Sequence, residues 1–437
     1  MTTKARISAY VPSLPRRAWT LLGADAASAV GSGLVMPFLI IYLHAVRGLS
    51  VGVASLALSA LAAAGFVGGP VAGLLVDWLG ARRTLVSALV VAAAGSAWLA
   101  FVTTLWEAFG AAAVFGLGIA GFWPAMHSTL ASAVSRVQRS SVFSVHYSTL
   151  NAGLGVGGVI GGLVVDVQSP VTFQAIFLLD GLTFLVFAAS LLFMPDVGRR
   201  VTTSAARDEP RVGYLAVLAD RLFLRVFLLM TLLVIIGYGQ LTSIFPAFVT
   251  GDGGSTTRVV GFAFGANTFL IVGAQLVVLK KMAGRRRTRG VLALAGLWAA
   301  SWLLTWGAGG LGGGAAAAVA FVAAMALFAL GETFMSPSLP PMVNDLAPDR
   351  LRGRYNAVYS LSWSIGQVAG PALAGLALAA GLAGPFLGTL AAACGFLAVA
   401  ALRLERRLPV HANLVAAGVE IPPDDSHSTQ PVGVNAP

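Results

Sequence analysis

The chain has 437 residues, of which 57% are hydrophobic and only 10% charged, and its mean hydropathy is +0.84. Soluble domains carry about 25% charged residues, so a soluble globular protein is excluded and an all-α polytopic membrane protein is implied. The net charge of +11 and pI of 10.6 do not point to nucleic acid, because the basic residues fall in short clusters between apolar runs and form no aromatic-interleaved patch on a soluble domain.

The first stretch, MTTKARISAYVPSLPRR, is polar and basic. The apolar run after it ends without a small-residue cleavage site, so residues 1–18 read as a tail leading into a retained helix and not as a signal peptide. A membrane-crossing helix needs about 20 apolar residues. Six such spans follow near 19–43, 51–76, 84–104, 107–131, 141–165 and 171–194, and six more near 222–248, 259–279, 290–307, 315–341, 355–380 and 384–402. Residues 19–194 and 222–407 are thus two six-helix bundles. Residues 195–221, polar and of both charge signs, read as the linker between them, and residues 408–437 read as a disordered tail. The lone cysteine, Cys394, allows neither an intrachain disulfide nor a Cys-based metal cluster. No metal-spaced His pair and no Gly-x-Ser-x-Gly is present, so neither a metal, a cofactor nor an enzyme activity is expected.

Orientation follows from the basic residues. With the N-terminus inside, 26 of the 28 Lys and Arg fall on inner segments and only Arg47 and Arg258 on outer loops. Such a split satisfies the positive-inside rule and puts both termini in the cytoplasm. The excess of Arg over Lys and the high Ala and Gly content point to a GC-rich bacterial genome and hence a plasma-membrane protein.

The halves resemble each other. The stretch RVQRSSVFSVHYSTLNAGLGVGGVIGGL enters span five, and DRLRGRYNAVYSLSWSIGQVAGPALAGL enters span eleven. An offset of 213 residues superposes Gly153 on Gly366, Gly157 on Gly370 and Gly162 on Gly375. Small residues at four-residue spacing let helix backbones approach closely in lipid; chance in a chain with 52 Gly is the alternative. Duplicated halves place a transporter's substrate site near the midplane between them.

Between spans two and three the chain reads GLLVDWLGARR. An Asp at an inner helix end can pair with Arg or with the positive end of another helix, which suits a latch between the halves; the plainer reading is a loop that only sets topology. With the twelve spans and the polar linker, this stretch resembles the major facilitator superfamily over about residues 16–407. Gly73, Asp77, Gly80 and Arg82 occupy the positions of that family's loop pattern, Trp78 and Ala81 depart from it, and Arg83 stands where it can replace the lost basic residue. The resemblance implies a gating role for Gly73, Asp77, Gly80, Arg82 and Arg83. In VVLKKMAGRRRTRG, the second-half counterpart, Lys281 replaces the Asp, and an orientation anchor is expected. The runs Gly153-x-x-x-Gly157 with Gly161 and Gly162, and Gly366-x-x-x-Gly370-Pro371 with Gly375, are similar to the packing runs of the family's drug:proton antiporters, with Gly158 where the first half of that pattern has Pro. The span-four Arg of proton-driven exporters is absent, Ala112 standing near its place.

Three acids fall inside spans: Asp25, Asp180 and Glu332. Intramembrane acids are costly and are functional candidates by default, and a carboxyl group kept from water can take up and release protons near neutral pH. All three are proton-coupling candidates, with Asp180 the most peripheral. The resemblance places Asp25 and Glu332 on cavity-lining spans one and ten. Further cavity candidates are Trp123 and His127 on span four, Tyr238 and Gln240 on span seven, and Asn151, Asn267, Trp363 and Gln367 on neighbouring spans. Together these imply a monomeric secondary transporter, whose partners are a small-molecule substrate, protons and the lipid bilayer, exporting hydrophobic or cationic molecules in exchange for protons. A proton-coupled importer of a sugar or metabolite is the alternative, and a non-transporting sensor or scaffold is the alternative from another class.

Overall fold

The computed structural model describes residues 14–135, 138–194, 197–198, 214–348 and 351–415. Twelve long helices follow one another: α1 (Arg16–Val35), α2 (Val51–Leu79), α3 (Ala81–Leu99), α4 (Leu105–Ser132), α5 (Arg139–Val164), α6 (Pro170–Leu192), α7 (Arg221–Ile236), α8 (Thr257–Met282), α9 (Arg287–Gly309), α10 (Gly314–Glu332), α11 (Arg352–Ala379) and α12 (Ala383–Glu405). Eleven spans among the described residues are long and apolar enough to cross a bilayer. The remaining helix, α3, opens on Arg82 and Arg83 but still runs 19 residues, about 29 Å at 1.5 Å per residue, and completes the alternation. No sheet forms among the described residues, only isolated bridges at Asp166–Ser169 and Arg286–Leu414. With no water in a bilayer to satisfy the backbone, helices are what such a sequence must make.

The glycine runs explain how the helices pack. On α5, Gly153, Gly157 and Gly161 face α1, against Ala29, Gly33 and Phe38, while Gly155, Gly158 and Gly162 face α8, against Thr268, Phe264 and Gly261. On α11, Gly366 and Gly370 face the α7 span, against Val234 and Gly239, while Gly375 faces α2, against Gly52 and Ser55. The repeat therefore does the same work twice. Gly157 and Gly370 seal the helix within its own half, and Gly162 and Gly375 seal it against the other half. A Cβ on Gly162 would stand 2.7 Å from the Gly261 Cα, and one on Gly375 2.6 Å from the Ser55 Cβ, so neither seam admits a larger residue without moving apart. Pro371, one turn before Gly375, is accommodated inside α11.

Two spans are broken where the sequence suggests continuity. The seventh leaves α-geometry at Gly237, where a Cβ would run into the Trp298 ring, and resumes as short segments Tyr238–Leu241 and Ile244–Thr250. The tenth ends at Glu332 and not near residue 341; a turn region then leads to a separate helix, Leu339–Leu346. Pro337, Pro340 and Pro341 cannot donate the hydrogen bonds that would extend α10.

The ends of the chain also depart from expectation in part. Residues 408–415 are structured and not disordered. Val410–Asn413 is a short helix, and Val415 exchanges backbone hydrogen bonds with Gly284 and Arg285. Residues 416–437 and 199–213, the rest of the expected tail and most of the linker, lie outside the described residues, and the end of the linker forms a short helix, Tyr214–Ala219.

The halves meet at one end and part at the other. At the end far from the arginine clusters, the Gly162–Gly261 and Gly52–Gly375 approaches close both seams, and the Thr257 hydroxyl donates to the Val165 carbonyl across 3.2 Å. That is the one hydrogen bond between the halves among the described residues. Toward the Arg-rich end the same faces are bare: Tyr147, on the α5 face that carries Gly155, Gly158 and Gly162, is 47% exposed, and Leu361, on the α11 face that carries Gly375, is 44% exposed. The central space thus opens toward the Arg-rich face.

Candidate functional site

One wall of this space is built on α1, α4 and α5. Asp25 and His146 are buried together, with Asp25 Oδ2 2.9 Å from His146 Nδ1. The contact has the distance of an ion pair without the alignment of a hydrogen bond, and His146 Nε2 has no partner among the described residues. A carboxylate and an imidazole withdrawn from water stabilise each other only as a pair. Asp25 is therefore not itself open to the cavity, as the sequence suggested; His146 covers it. His127 comes next, its ring centroid 5.9 Å from that of His146, and it is exposed toward the space. Trp123 lies 5.8 Å from His127 and 6.4 Å from His146, and Phe143 closes the cluster at 5.5 Å from His127. From buried acid to open water the order is Asp25, His146, His127.

The opposite wall is built on α8, α10, α11 and the broken seventh span. Glu332 is half-buried at the end of α10, faced by the Tyr238 hydroxyl and the Asn267 amide, and the buried Asn267 Nδ2 has no hydrogen-bond partner among the described residues. Tyr238 sits 4.7 Å from the Trp363 ring and 5.7 Å from the Trp298 ring, and its hydroxyl reaches the Met335 sulfur at 3.7 Å. Tyr147, on the first wall, is near enough to Glu332 for the two to interact electrostatically across the space. Asn151, one turn on, donates its Nδ2 to the Tyr147 carbonyl at 2.8 Å. Gln367 is half-buried, and its Oε1 has no partner among the described residues.

Two expected site residues have other work. Gln240 is fully buried, and its amide donates to the carbonyls of Ile235 at 2.7 Å and Gly370 at 3.1 Å. The break at Gly237 frees backbone groups that water cannot reach, and an amide is a side chain able to satisfy them. Gln240 therefore mends the seventh span and does not line the cavity. Asp180, also fully buried, accepts from Ser96 Oγ at 2.8 Å and faces Ser32 Oγ at 3.5 Å, inside the packing of α1, α3 and α6. It is enclosed within one bundle, away from the space between them.

The loop after α2 splits in the same way. Gly80 has φ +87°, a conformation that favours glycine, and it turns the chain directly from α2 into α3. Arg82 does not reach toward the other half: its guanidinium donates to the last carbonyls of α6, Leu191 at 2.7 Å and Leu192 at 3.1 Å. Asp77 and Arg83 are exposed, with no ion pair or hydrogen bond from their side chains to the described residues, and a Cβ on Gly73 would meet open space. The corresponding loop of the second half is tied more firmly, Arg286 and Arg289 pairing with Glu405 and Arg287 with Asp345. No group of three or more His, Cys, Asp and Glu able to hold a metal occurs among the described residues.

A family model for the Major Facilitator Superfamily matches residues 21–321 and 302–424. The chain belongs to that superfamily. Its members are transporters and not catalysts, so this superfamily member is a multi-pass carrier of small molecules. It is 28% identical to the Multidrug resistance protein MdtH of Aeromonas hydrophila over 80% of this chain and 85% of that one. It is 25% identical to the uncharacterized MFS-type transporter YqjV of Bacillus subtilis over 60% of this chain, and the match spans 63% of that relative's length. In fold it is similar to a POT family transporter solved in complex with 5-aminolevulinic acid, with a TM-score of 0.75, 15% identity, and coverage of 90% of this chain and 96% of the other.

Sequence reasoning missed His146 and Tyr147. The signal was present: His146 lies seven residues before Gly153, two turns back along the stripe that packs on α1. Gly153 meets Ala26, Ala29 and Val30, so with the two helices packed along their length the same face of α5 arrives at Asp25.

Proposed function

We propose that this superfamily member is a proton-coupled carrier that takes up a small, polar, amine-bearing metabolite, with the Arg-rich face cytoplasmic. The observation that carries the reading is the pair of facing walls: Asp25 with His146 and Tyr147 on one side, and Glu332 with Tyr238 and Asn267 on the other. Groups kept from water that exchange protons suit coupling. A carboxylate with phenol and amide neighbours suits an ammonium or hydroxyl group of a solute, and the rings of Trp123, Tyr238 and Trp363 supply faces on which a cation is attracted. Directed hydrogen-bonding groups are gathered here: His127, Tyr147, Asn151, Tyr238, Asn267 and Gln367. That supports a polar solute over a purely hydrophobic one.

In the state described here the solute leaves toward the Arg-rich face. The two seams at the far end hold mainly by the close approach of glycine backbones to the facing helices, with a single hydrogen bond between the halves among the described residues. They can open without leaving buried ions unpaired, while the Asp77 loop engages the other half. Proton exchange at Asp25–His146 and at Glu332 sets which state is favoured.

Export of amphipathic cations is the second reading. It is favoured by the likeness of the α5 and α11 glycine runs to those of drug exporters and by the sequence similarity to MdtH. Uptake of a panel of amino acids, amines, nucleosides and sugars, alongside efflux of cationic dyes, in cells with and without the protein separates the two. Accumulation of an amine-bearing metabolite that collapses with the proton gradient supports uptake. Dye efflux with no accumulation contradicts it.

A further inference from the structure

We infer that the groove between α7 and α12 at the Arg-rich end is a binding site for an anionic phospholipid of that leaflet. The groove encloses about 320 Å³ and is lined by Arg225, Leu228, Leu229 and Leu232 of α7, with Phe396, Val399, Ala400, Arg403 and Leu404 of α12 and Arg407 just after it. Arg225, Leu228, Leu229 and Leu232 fall at helix spacing on one stripe of α7, as do Phe396, Val399, Ala400 and Arg403 along α12, with Arg407 following beyond its end. Because the two helices run antiparallel, their charged ends coincide and their apolar ends coincide. The result is a slot with three guanidinium groups at its mouth and a wholly apolar floor.

Among the described residues these charges are unmatched. The guanidinium groups of Arg225, Arg403 and Arg407 make no hydrogen bond or ion pair with any described residue. The nearest acids in sequence are committed elsewhere: Glu405 accepts from Arg286, Thr288 and Arg289, and Asp220 accepts from the Leu222 and Phe223 amides and the Tyr355 hydroxyl. An arginine that only sets topology needs no groove. Three converging from two helices on one slot match a phosphate, whose oxygens accept forked N–H pairs. The floor decides the source of that phosphate. From Arg225 to Leu232 the slot runs about 10 Å into the membrane, and Leu228, Val399 and Phe396 are 56%, 45% and 63% exposed along it. A free phosphate or a soluble anionic peptide has no use for such a floor, whereas the upper part of an acyl chain covers it. Basic pockets between helices near the anionic leaflet are where such headgroups bind.

The test is native mass spectrometry of the purified full-length chain given equal amounts of phosphatidylglycerol and phosphatidylcholine with identical acyl chains. The wild type is expected to retain phosphatidylglycerol preferentially. In the Arg225→Gln, Arg403→Gln, Arg407→Gln triple variant that retention is expected to fall on the order of a hundredfold, and in the control variant Arg83→Gln to persist. A triple Lys variant, which keeps the charge and guards against a folding defect, is expected to recover most of it, and millimolar inorganic phosphate is expected not to displace the lipid. Equal retention of the two lipids by the wild type, undiminished retention by the triple Gln variant, or displacement by inorganic phosphate would overturn the assignment.

Discussion

Asp25 Oδ2 and His146 Nδ1 lie 2.9 Å apart, and neither side chain is more than 4% exposed. Two helices of the same half, α1 and α5, therefore carry between them a matched acid and base in a place from which water is withdrawn. The glycines that follow on α5 make this approach possible, since Gly153 and Gly157 draw its backbone onto α1.

Removing one member of the pair strands the other. His146→Ala is expected to lower stability by about 3–5 kcal/mol, because it leaves a buried acid without its partner. The double variant Asp25→Val, His146→Leu should lose much less than the sum of the two single changes. Thermal unfolding of the purified proteins in one detergent measures both, and additive losses would show that the two groups do not interact.

The seams between the halves depend on the absence of side chains. Gly162→Leu and Gly375→Leu are each expected to hold the far end apart and shift the protein away from the state described here. Cys394 is fully buried, so a cysteine placed at Thr257, beside the α5–α8 seam, reports on opening there. Labelling of Thr257→Cys by a membrane-impermeant maleimide added at the far face should rise several-fold when Gly162→Leu is added. Unchanged labelling would mean that the seam tolerates the larger residue.

Gln240 distinguishes a structural amide from a substrate ligand. Gln240→Leu removes the donation to the Ile235 carbonyl beside the break in the seventh span and that to the Gly370 carbonyl of α11, and is expected to cost about 1–3 kcal/mol, read as a lowered melting temperature. Substrate preference among the compounds carried should not change. A changed preference at unaltered stability would return Gln240 to the cavity.

The loop after α2 holds an anchor, Arg82, and we propose that Asp77 acts as a latch in the opposite state. Arg82→Gln loses charge-assisted hydrogen bonds to the end of α6 and should destabilise the protein by about 1.5–3 kcal/mol. Asp77→Asn should leave melting unaltered, since Asp77 is unpaired among the described residues here, and should slow turnover by weakening the opposite state. Melting curves and initial transport rates on the same preparations check the pair of expectations.

Much of the architecture is readable from composition and period. Apolar runs near 20 residues and the one-sided distribution of Arg and Lys define the spans, because the bilayer leaves few alternatives, and the 213-residue offset between Gly157 and Gly370 marks the helices that act twice. Less readable are features that depend on a distant neighbour. The break at Gly237 needs Trp298 beside it, and the role of Gln240 follows only from that break. Asp180 has the same local appearance as Asp25, an acid in an apolar helix; Ser96 on α3 makes one a contained structural group, and His146 on α5 makes the other half of a pair. Glu332 is recognisable in the sequence as an intramembrane acid, but its place at a helix end depends on the prolines beyond it.

Proton coupling through the two walls is tested most directly in proteoliposomes, with the compound that accumulates in the uptake panel, by comparing wild type with Glu332→Gln and with Asp25→Asn. Accumulation driven by an imposed pH gradient is expected to be lost in both variants, while exchange of labelled for unlabelled compound at equal pH continues. Gradient-driven accumulation at the wild-type level in both variants would contradict the assignment of these acids to coupling.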